Sequence, residues 1–346
     1  MPHPSITAQT YPHKPAYIMG NSGEMVTYRQ LDERSNQGAQ LFRSLGLNTG
    51  DHIGLMIENC SRFLEICWAA QRSGIVFTPI STHLKKEETA YILDNCGAKL
   101  FIGSLALAEV AQDILAEATG VERFYMVNGI KPGFESWEEA VDAQPDTPIA
   151  DQSCGVPMLY SSGTTGQPKG VYIPPHDPAF DAEPLLGATL GSAFGFSEET
   201  VYLSPAPLYH AAPLHYNMMN LSLGGTSVIM EKFDPERALA LIEEHRVTHS
   251  QWVPIMFIRM LKLPQEVRDR YDVSSMQFAI HAAAPCPVEI KQQMIDWWGE
   301  VIVEYYSSSE GAGFTVIDSA NWLTHQGSVG PALLGTIHIV DDDGNE

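Results

Sequence analysis

The run Tyr160-Ser161-Ser162-Gly163-Thr164-Thr165-Gly166-Gln167-Pro168-Lys169-Gly170-Val171 gathers hydroxyls, glycines and one lysine into a single short turn. An apolar run, Val156 to Tyr160, enters it and the β-prone Val171-Tyr172-Ile173 leaves it, which predicts strand, loop, strand. Such a loop suits a polyphosphate: glycines let backbone N–H groups approach closely, hydroxyls donate to phosphate oxygens, and the lysine adds a point charge. A Walker A loop would need Gly-Lys followed by Ser or Thr at the opening of a helix. Here Lys169 follows Pro168 and precedes Gly170, and Pro174-Pro175 soon after argue against a long helix, so that reading fails. A plain polar surface loop is the other reading these residues leave open.

Elements alternate on both sides of this run. Tyr17-Ile18 and Met25-Val26 flank the turn Gly20-Asn21-Ser22-Gly23 as a hairpin, and Thr27 with Gln30 has capping-box spacing at the start of a helix that Gly46 stops. Strands are predicted at Ile53–Ile57, Val76–Ile80, Leu100–Ile102 and Phe124–Val127, with helices at Arg62–Ser73, Lys85–Asn95 and Ala106–Thr119. Beyond the run the strand candidates are Val201–Leu203, Ser227–Met230, Thr248–Val253, Gln277–Ile280 and Val301–Tyr305. Pro287 to Trp298 reads as a helix with Lys291, Met294, Ile295 and Trp298 at helical spacing and Gly299 at its end. The fold class is therefore α/β: two helix-flanked, largely parallel sheets, one on each side of the loop. Gly335 to Val340 predicts the opening of a further β element, ending in the turn Asp341-Asp342-Asp343-Gly344.

The chain has 346 residues, 44% of them hydrophobic and 18% charged, ordinary values for a globular protein with room for more than one domain. Its 42 Asp and Glu against 20 Lys and Arg give a formal charge of −22, which repels nucleic acid and anionic membrane. The start, Met1-Pro2-His3-Pro4-Ser5, has no basic segment followed by an apolar one, so no signal peptide is expected. Nor is integral membrane contact, since no uninterrupted apolar run approaches the roughly 20 residues that a bilayer requires. The five cysteines are scattered and show no CxxC pair, which fits a reducing cytoplasm.

Ligands on open α/β sheets bind beyond the carboxyl ends of strands. Two such ends are chemically unusual. His281-Ala282-Ala283-Ala284-Pro285 offers small residues against which a flat ring can lie, though a tight strand-to-helix turn reads the same way. In Tyr305-Tyr306-Ser307-Ser308-Ser309-Glu310-Gly311 a hydroxyl directly precedes a carboxylate, a pairing that can hold a phosphate oxygen and Mg²⁺ together or merely cap a helix. Met218, Met219 and Leu221 can line a channel or be plain core.

The run at 160–171 resembles the signature loop of the adenylate-forming (AMP-binding) superfamily, which holds acyl-CoA synthetases, luciferases and peptide-synthetase adenylation domains. The shared pattern is a Ser/Thr/Gly-rich stretch ending in Pro-Lys-Gly. Tyr306 to Glu310 is similar to the family's Tyr-Gly-x-Thr-Glu, with Ser307 and Ser309 replacing glycine and threonine. His281 to Pro285 is similar to its small-residue motif ending in Ala-Pro, His281 standing where serine is frequent. Pro205-Ala206-Pro207-Leu208-Tyr209-His210 and Val253-Pro254-Ile255-Met256 resemble further family blocks. The likeness runs from Gly23, Thr27 and Tyr28 to Gly327, and the chain looks most like the fatty-acyl-CoA synthetase branch, a branch of lipid and fatty-acid metabolism.

The resemblance implies a nucleotide-binding N-terminal domain over 1–327, built of two α/β subdomains. Residues 328–346 would begin a small β-barrel subdomain, and the mobile C-terminal domain that family members carry next is not reached, so this chain alone is expected to be impaired in the full reaction. The implied reaction is an ATP-dependent acid–thiol ligation through an acyl-adenylate, with ATP, CoA and a hydrophobic carboxylic acid as substrates and Mg²⁺ as the metal; a homodimer is compatible with it. Ser161, Ser162, Gly163, Thr164, Thr165, Gly166 and Lys169 would hold the phosphates, with Thr164, Thr165, Lys169 and Glu310 catalytic and Glu310 and Thr165 on the metal. Ala282, Ala283, Ala284, Pro285, Tyr305, Tyr306, Ser307 and Ser309 would bind the rest of the nucleotide, and His210, Met218, Trp252 and His281 would border the acid. An aryl or steroid acid, a non-catalytic nucleotide- or acyl-binding module, and an unrelated NTPase remain alternatives.

Overall fold

The computed structural model describes residues 3–161, 167–181, 185–341 and 343–346. In chain order the elements are α1 (Pro4–Thr10), β1 (Pro15–Met19), β2 (Met25–Thr27), α2 (Tyr28–Ser44), β3 (His52–Met56), α3 (Ser61–Arg72), β4 (Val76–Pro79), α4 (Lys86–Cys96), β5 (Ala98–Ser104), α5 (Ala108–Glu117), β6 (Arg123–Val127), β7 (Glu135–Ser136) and α6 (Trp137–Asp142). They continue with β8 (Met158–Ser161), β9 (Lys169–Tyr172), α7 (Leu185–Ala193), β10 (Val201–Ser204), α8 (Ala211–Ser222), β11 (Thr226–Ile229), α9 (Pro235–His245), β12 (His249–Trp252) and α10 (Pro254–Leu261). The last are α11 (Gln265–Arg268), β13 (Phe278–His281), α12 (Val288–Trp298), β14 (Ile302–Ser307), β15 (Phe314–Ile317), α13 (Ser319–Thr324) and β16 (Ala332–Leu334). The chain divides into two compact units, Met1–Thr200 with Ala206–Lys232 and Val201–Pro205 with Phe233–Glu346.

In the first unit a sheet of order β4-β3-β5-β6-β7 is parallel throughout, the arrangement that strand and helix alternation dictates. Helix α2 shows how sequence sets these elements. Thr27 Oγ1 accepts from the Gln30 N–H while Gln30 Oε1 accepts from the Thr27 N–H, a reciprocal cap, and Gly46 ends the helix region at φ +82°. Its buried face, Tyr28, Leu31, Ser35, Ala39 and Phe42, packs on α3, where a Cβ at Gly38 would stand 2.6 Å from Ala69 Cβ. Only glycine lets those two helices approach so closely. Leu31, Phe42, Phe63, Ile66, Phe77, Ile102 and Tyr125 lie in one core on this side, and Met56, Leu93, Phe101, Ile114 and Met126 in another.

The expectation of one sheet on each side of the loop needs correction. Strands β1 and β2 precede the loop in the chain, yet β1 pairs in parallel with β11, Tyr17 opposite Ser227 and Met19 opposite Ile229. A β1–β2 hairpin alone is marginal, and pairing with β11 satisfies the backbone edge of β1 that faces away from β2.

The second unit carries the order β16-β15-β14-β13-β12-β10, parallel from β10 to β14 and antiparallel after it. Trp252, Phe257 and Trp298 meet edge-on or tilted in its core, with ring centroids 5.7–6.5 Å apart. The strand expected at the carboxyl end lies earlier, at Ala332–Leu334, and 336–340 have no strand pairing. Alternation alone does not make a strand: among the described residues none offers this segment a ladder, and Ile337, Ile339 and Val340 are exposed. Among the described residues no helix is long and apolar enough to cross a membrane.

Candidate functional site

In the first unit the loop run is framed by a hairpin. Strands β8 and β9 are antiparallel, with Met158 opposite Tyr172, Tyr160 opposite Gly170 and Ser161 opposite Lys169. Leu159 is buried in the core, and the Tyr160 hydroxyl donates to Asn95 Oδ1 at 2.5 Å, which ties the hairpin to α4. A Cβ at Gly170 would stand 2.3 Å from Met158 Cε and 3.0 Å from Tyr160 Cζ, so the glycine after Lys169 answers to cross-strand crowding. Ser161 is half-buried at the mouth of the loop and Lys169 is exposed. Ser162, Gly163, Thr164, Thr165 and Gly166 lie outside the described residues.

The block at 205–210 has no helix or strand of its own, and a buried amide holds it. Asn59, 5% exposed, donates through Nδ2 to the Ala206 and Met230 carbonyls at 3.1 and 2.8 Å and accepts the Leu208 N–H at 2.8 Å. The amide thus spends both donor hydrogens and its acceptor on backbone. His210 follows as the residue before α8, in extended backbone, with its ring 4.6 Å from that of Tyr209. Its side chain reaches solvent, but crowding by neighbouring atoms and then the proximity of His83 hold its pKa below the usual histidine value. Met218, on α8, is half-buried against the core.

In the second unit the ends of β12, β13 and β14 are adjacent, with Trp252 opposite His281 and His281 opposite Glu304. The two unusual stretches therefore emerge side by side. Ala282 is buried, while Ala283, Ala284 and Pro285 are exposed, and Ala283 takes the left-handed φ of +74°. An alanine there costs about 1–2 kcal/mol, so its surroundings must impose the conformation. Beyond Glu304, Tyr305 stacks on Phe314 with centroids 4.7 Å apart and Tyr306 is 66% exposed. Ser307 Oγ donates to the Gly313 carbonyl at 2.7 Å and closes the turn on which Ser309 and Glu310 stand exposed. A hydroxyl and a carboxylate are hard oxygen donors, the chemistry Mg²⁺ takes when phosphates supply the rest of its shell.

Two residues expected to border a substrate have no exposed side-chain surface in their own unit. Trp252 is 0% exposed, packed against Phe233, Phe257 and Trp298, with Nε1 donating to Ser250 Oγ at 2.5 Å. His281 is likewise 0% exposed and meets Phe257 edge-on. Strand alternation turns both side chains toward the aromatic core of α10 and α12. Burial, and then Lys291, push the His281 pKa down to about 3, so the ring is neutral at physiological pH.

Sequence reasoning missed Asn59 and Glu304, the charge partner of Lys291. Lys291 Nζ donates to Glu304 Oε2 at 2.7 Å, and Lys291 is 0% and Glu304 7% exposed. The clue was a lysine sharing a helical stripe with Met294, Ile295 and Trp298, since a lysine there must find an anion or stay uncharged. Burial lowers the Lys291 pKa, and Glu304 opposes that shift.

A family model described as AMP-binding enzyme matches residues 5–346. The crotonobetaine/carnitine–CoA ligase of Escherichia fergusonii is 30% identical over 276 residues, covering 76% of this chain and 52% of that protein. The chain thus spans about half the length of the curated relatives it matches. Among solved structures, the N-terminal domain of FACL13 from Mycobacterium tuberculosis aligns with a TM-score of 0.83 at 25% identity, covering 99% of this chain and 84% of that one. The Mycobacterium tuberculosis fatty acyl CoA synthetase aligns with a TM-score of 0.83 at 24% identity, covering 99% and 66%. These likenesses carry the α/β fold read from the sequence.

Proposed function

The chain belongs to the AMP-binding enzyme family, and on that premise we propose that it serves an acyl-CoA ligase, forming an acyl-adenylate from a carboxylic acid and MgATP before thioester formation with CoA. The observation that carries this reading is the pair of adjacent strand ends in the second unit. Ala283, Ala284 and Pro285 are exposed just after β13, and its neighbour β14 ends in exposed Tyr306 and leads to the turn that carries Ser309 and Glu310.

In the first step a carboxylate oxygen of the acid attacks the α-phosphorus, the bridging bond to the β-phosphate breaks, and pyrophosphate leaves. In the second the CoA thiol loses its proton, its sulfur attacks the acyl carbonyl, and AMP departs. The protein's task is charge neutralisation and alignment rather than covalent chemistry. In this reading Lys169, with Ser161, Ser162, Gly163, Thr164, Thr165 and Gly166, would hold the β- and γ-phosphates. Ala282 to Pro285 and Tyr306 would hold adenine, Ser309 the α-phosphate, and Glu310 and Thr165 the metal. When bound, Mg²⁺ neutralises phosphate charge. Tyr305 and Ser307 shape the turn through Phe314 and Gly313. His210 and the half-buried Met218 border the acid, while Trp252 and His281 act from behind as packing. A methionine-bearing, largely apolar α8 favours a hydrophobic acid. Residues 1–327 form the nucleotide-binding domain in this reading, and 328–346 begin a β subdomain.

ATP–pyrophosphate exchange tests the proposal. Exchange that rises on adding a medium- or long-chain fatty acid, an aryl acid or a steroid acid supports adenylation and ranks the acids. ATP binding with no exchange for any acid points to a binding module instead, and ATP hydrolysis without acid points to an NTPase.

A further inference from the structure

Beneath the exposed turn Ala283–Pro285, three ionisable side chains close on one another inside the second unit. His281 is the last residue of β13 and lies opposite Glu304 in the ladder, with Nε2 3.7 Å from Glu304 Oε2. Lys291, in the first turns of α12, donates to the same oxygen at 2.7 Å, and its ammonium lies 4.8 Å from the Trp322 ring centroid. Among the described residues neither ring nitrogen of His281 has a hydrogen-bond partner, and Glu304 is satisfied from the lysine. The imidazole contributes a wall.

A buried ion pair is a poor source of net stability, because desolvating both charges offsets most of their attraction. It is directional, however, and its placement here is specific. The turn at 282–287 leaves β13 just after His281 and enters the helix that carries Lys291, while Glu304 immediately precedes Tyr305. One salt bridge therefore ties the helix after the first strand-end motif to the strand that carries the second. The left-handed Ala283 lies within the turn so clamped. Packing of Met294, Ile295 and Trp298 already seats α12 on the sheet, but apolar packing does not fix its position along its own axis as a single short ionic contact does.

We propose that Lys291 and Glu304 are positioning residues for the bound nucleotide, setting the separation between the adenine-facing turn at 282–285 and the segment 305–310 at the end of β14. This deepens the nucleotide reading above and rests on it. The pair touches no ligand; its effect reaches AMP through the two turns.

Calorimetric titration with AMP, paired with thermal melting, separates this from a purely structural role. Lys291→Met alone leaves a buried unpaired carboxylate and is expected to lower the melting temperature and AMP affinity together. Lys291→Met with Glu304→Gln removes both charges, so melting returns close to that of the unaltered chain while the AMP dissociation constant stays raised by about tenfold. Should that double variant fail to fold, Lys291→Arg with Glu304→Asp keeps both charges and alters the arm lengths; melting near the original with weakened AMP binding is expected there too. Unchanged AMP affinity in either folded double variant overturns the proposal. An unaltered chain that binds no AMP overturns the nucleotide reading itself, and the positioning role with it.

Discussion

Ser161 and Lys169 face each other across the β8–β9 ladder, Ser161 half-buried and Lys169 exposed. Replacing Lys169 by alanine removes a charge without touching the core, and melting should not change. Affinity for ATP should fall about tenfold, near 1.4 kcal/mol, while affinity for AMP, which lacks the outer phosphates, stays the same. Titrations of both nucleotides at fixed magnesium check this. Equal affinity of variant and parent for ATP would remove the loop from the phosphate site.

Asn59 is a stability prediction. Asn59→Ala leaves the buried Leu208 N–H and two buried carbonyls without their partner, at a cost of about 2–4 kcal/mol. Asn59→Asp should be at least as harmful, because an ionised carboxylate would face two carbonyl oxygens. Urea denaturation midpoints measure both, and a loss under about 0.5 kcal/mol for Asn59→Ala would mean that 206–208 hold their path without the amide.

His281 predicts a pH dependence. Its folded pKa of about 3 lies below the unfolded value of 6.5, so above pH 6.5 neither state binds the proton and the contribution is intact. As pH falls the unfolded chain takes up a proton that the folded one refuses. Stability is therefore lost at up to about 1.4 kcal/mol per pH unit until the folded ring protonates near pH 3. His281→Gln cannot titrate, and its stability curve should be flatter between about pH 6 and pH 4. Parallel curves for the two proteins would contradict this assignment.

The parts of the fold legible in the sequence are those set by neighbours along the chain. Thr27 and Gln30 cap each other as their spacing requires, and the Met158–Tyr172 hairpin follows from apolar runs on either side of a glycine-rich turn. What escaped is set by distant partners. Nothing local in Pro15–Met19 says that it will lie beside Thr226–Ile229, because any exposed strand edge accepts any other. Thr336 to Val340 alternates like a strand and pairs with no segment among the described residues.

The candidate site divides in the same way. Exposed small and hydroxyl-bearing residues at 283–285 and 306–310 were readable, since their types alone state what they can touch. The family resemblance put Trp252 and His281 at the acid, but which face a side chain takes is decided by the helix packed there, here α10 and α12. Lys291 was visible as an oddity on a buried stripe, and its partner Glu304 became visible only through the β13–β14 register.

The pairing of Tyr17 with Ser227 also bears on how the protein is made. Translation proceeds at about 5–20 residues per second, so β1 and β2 emerge on the order of ten seconds or more before β11 exists. Through that interval the nascent chain carries an unpaired apolar edge that only later synthesis can cover, a vulnerable period that favours chaperone attendance. Truncations ending before β11 should therefore be sticky on the ribosome, while those ending after it should release cleanly.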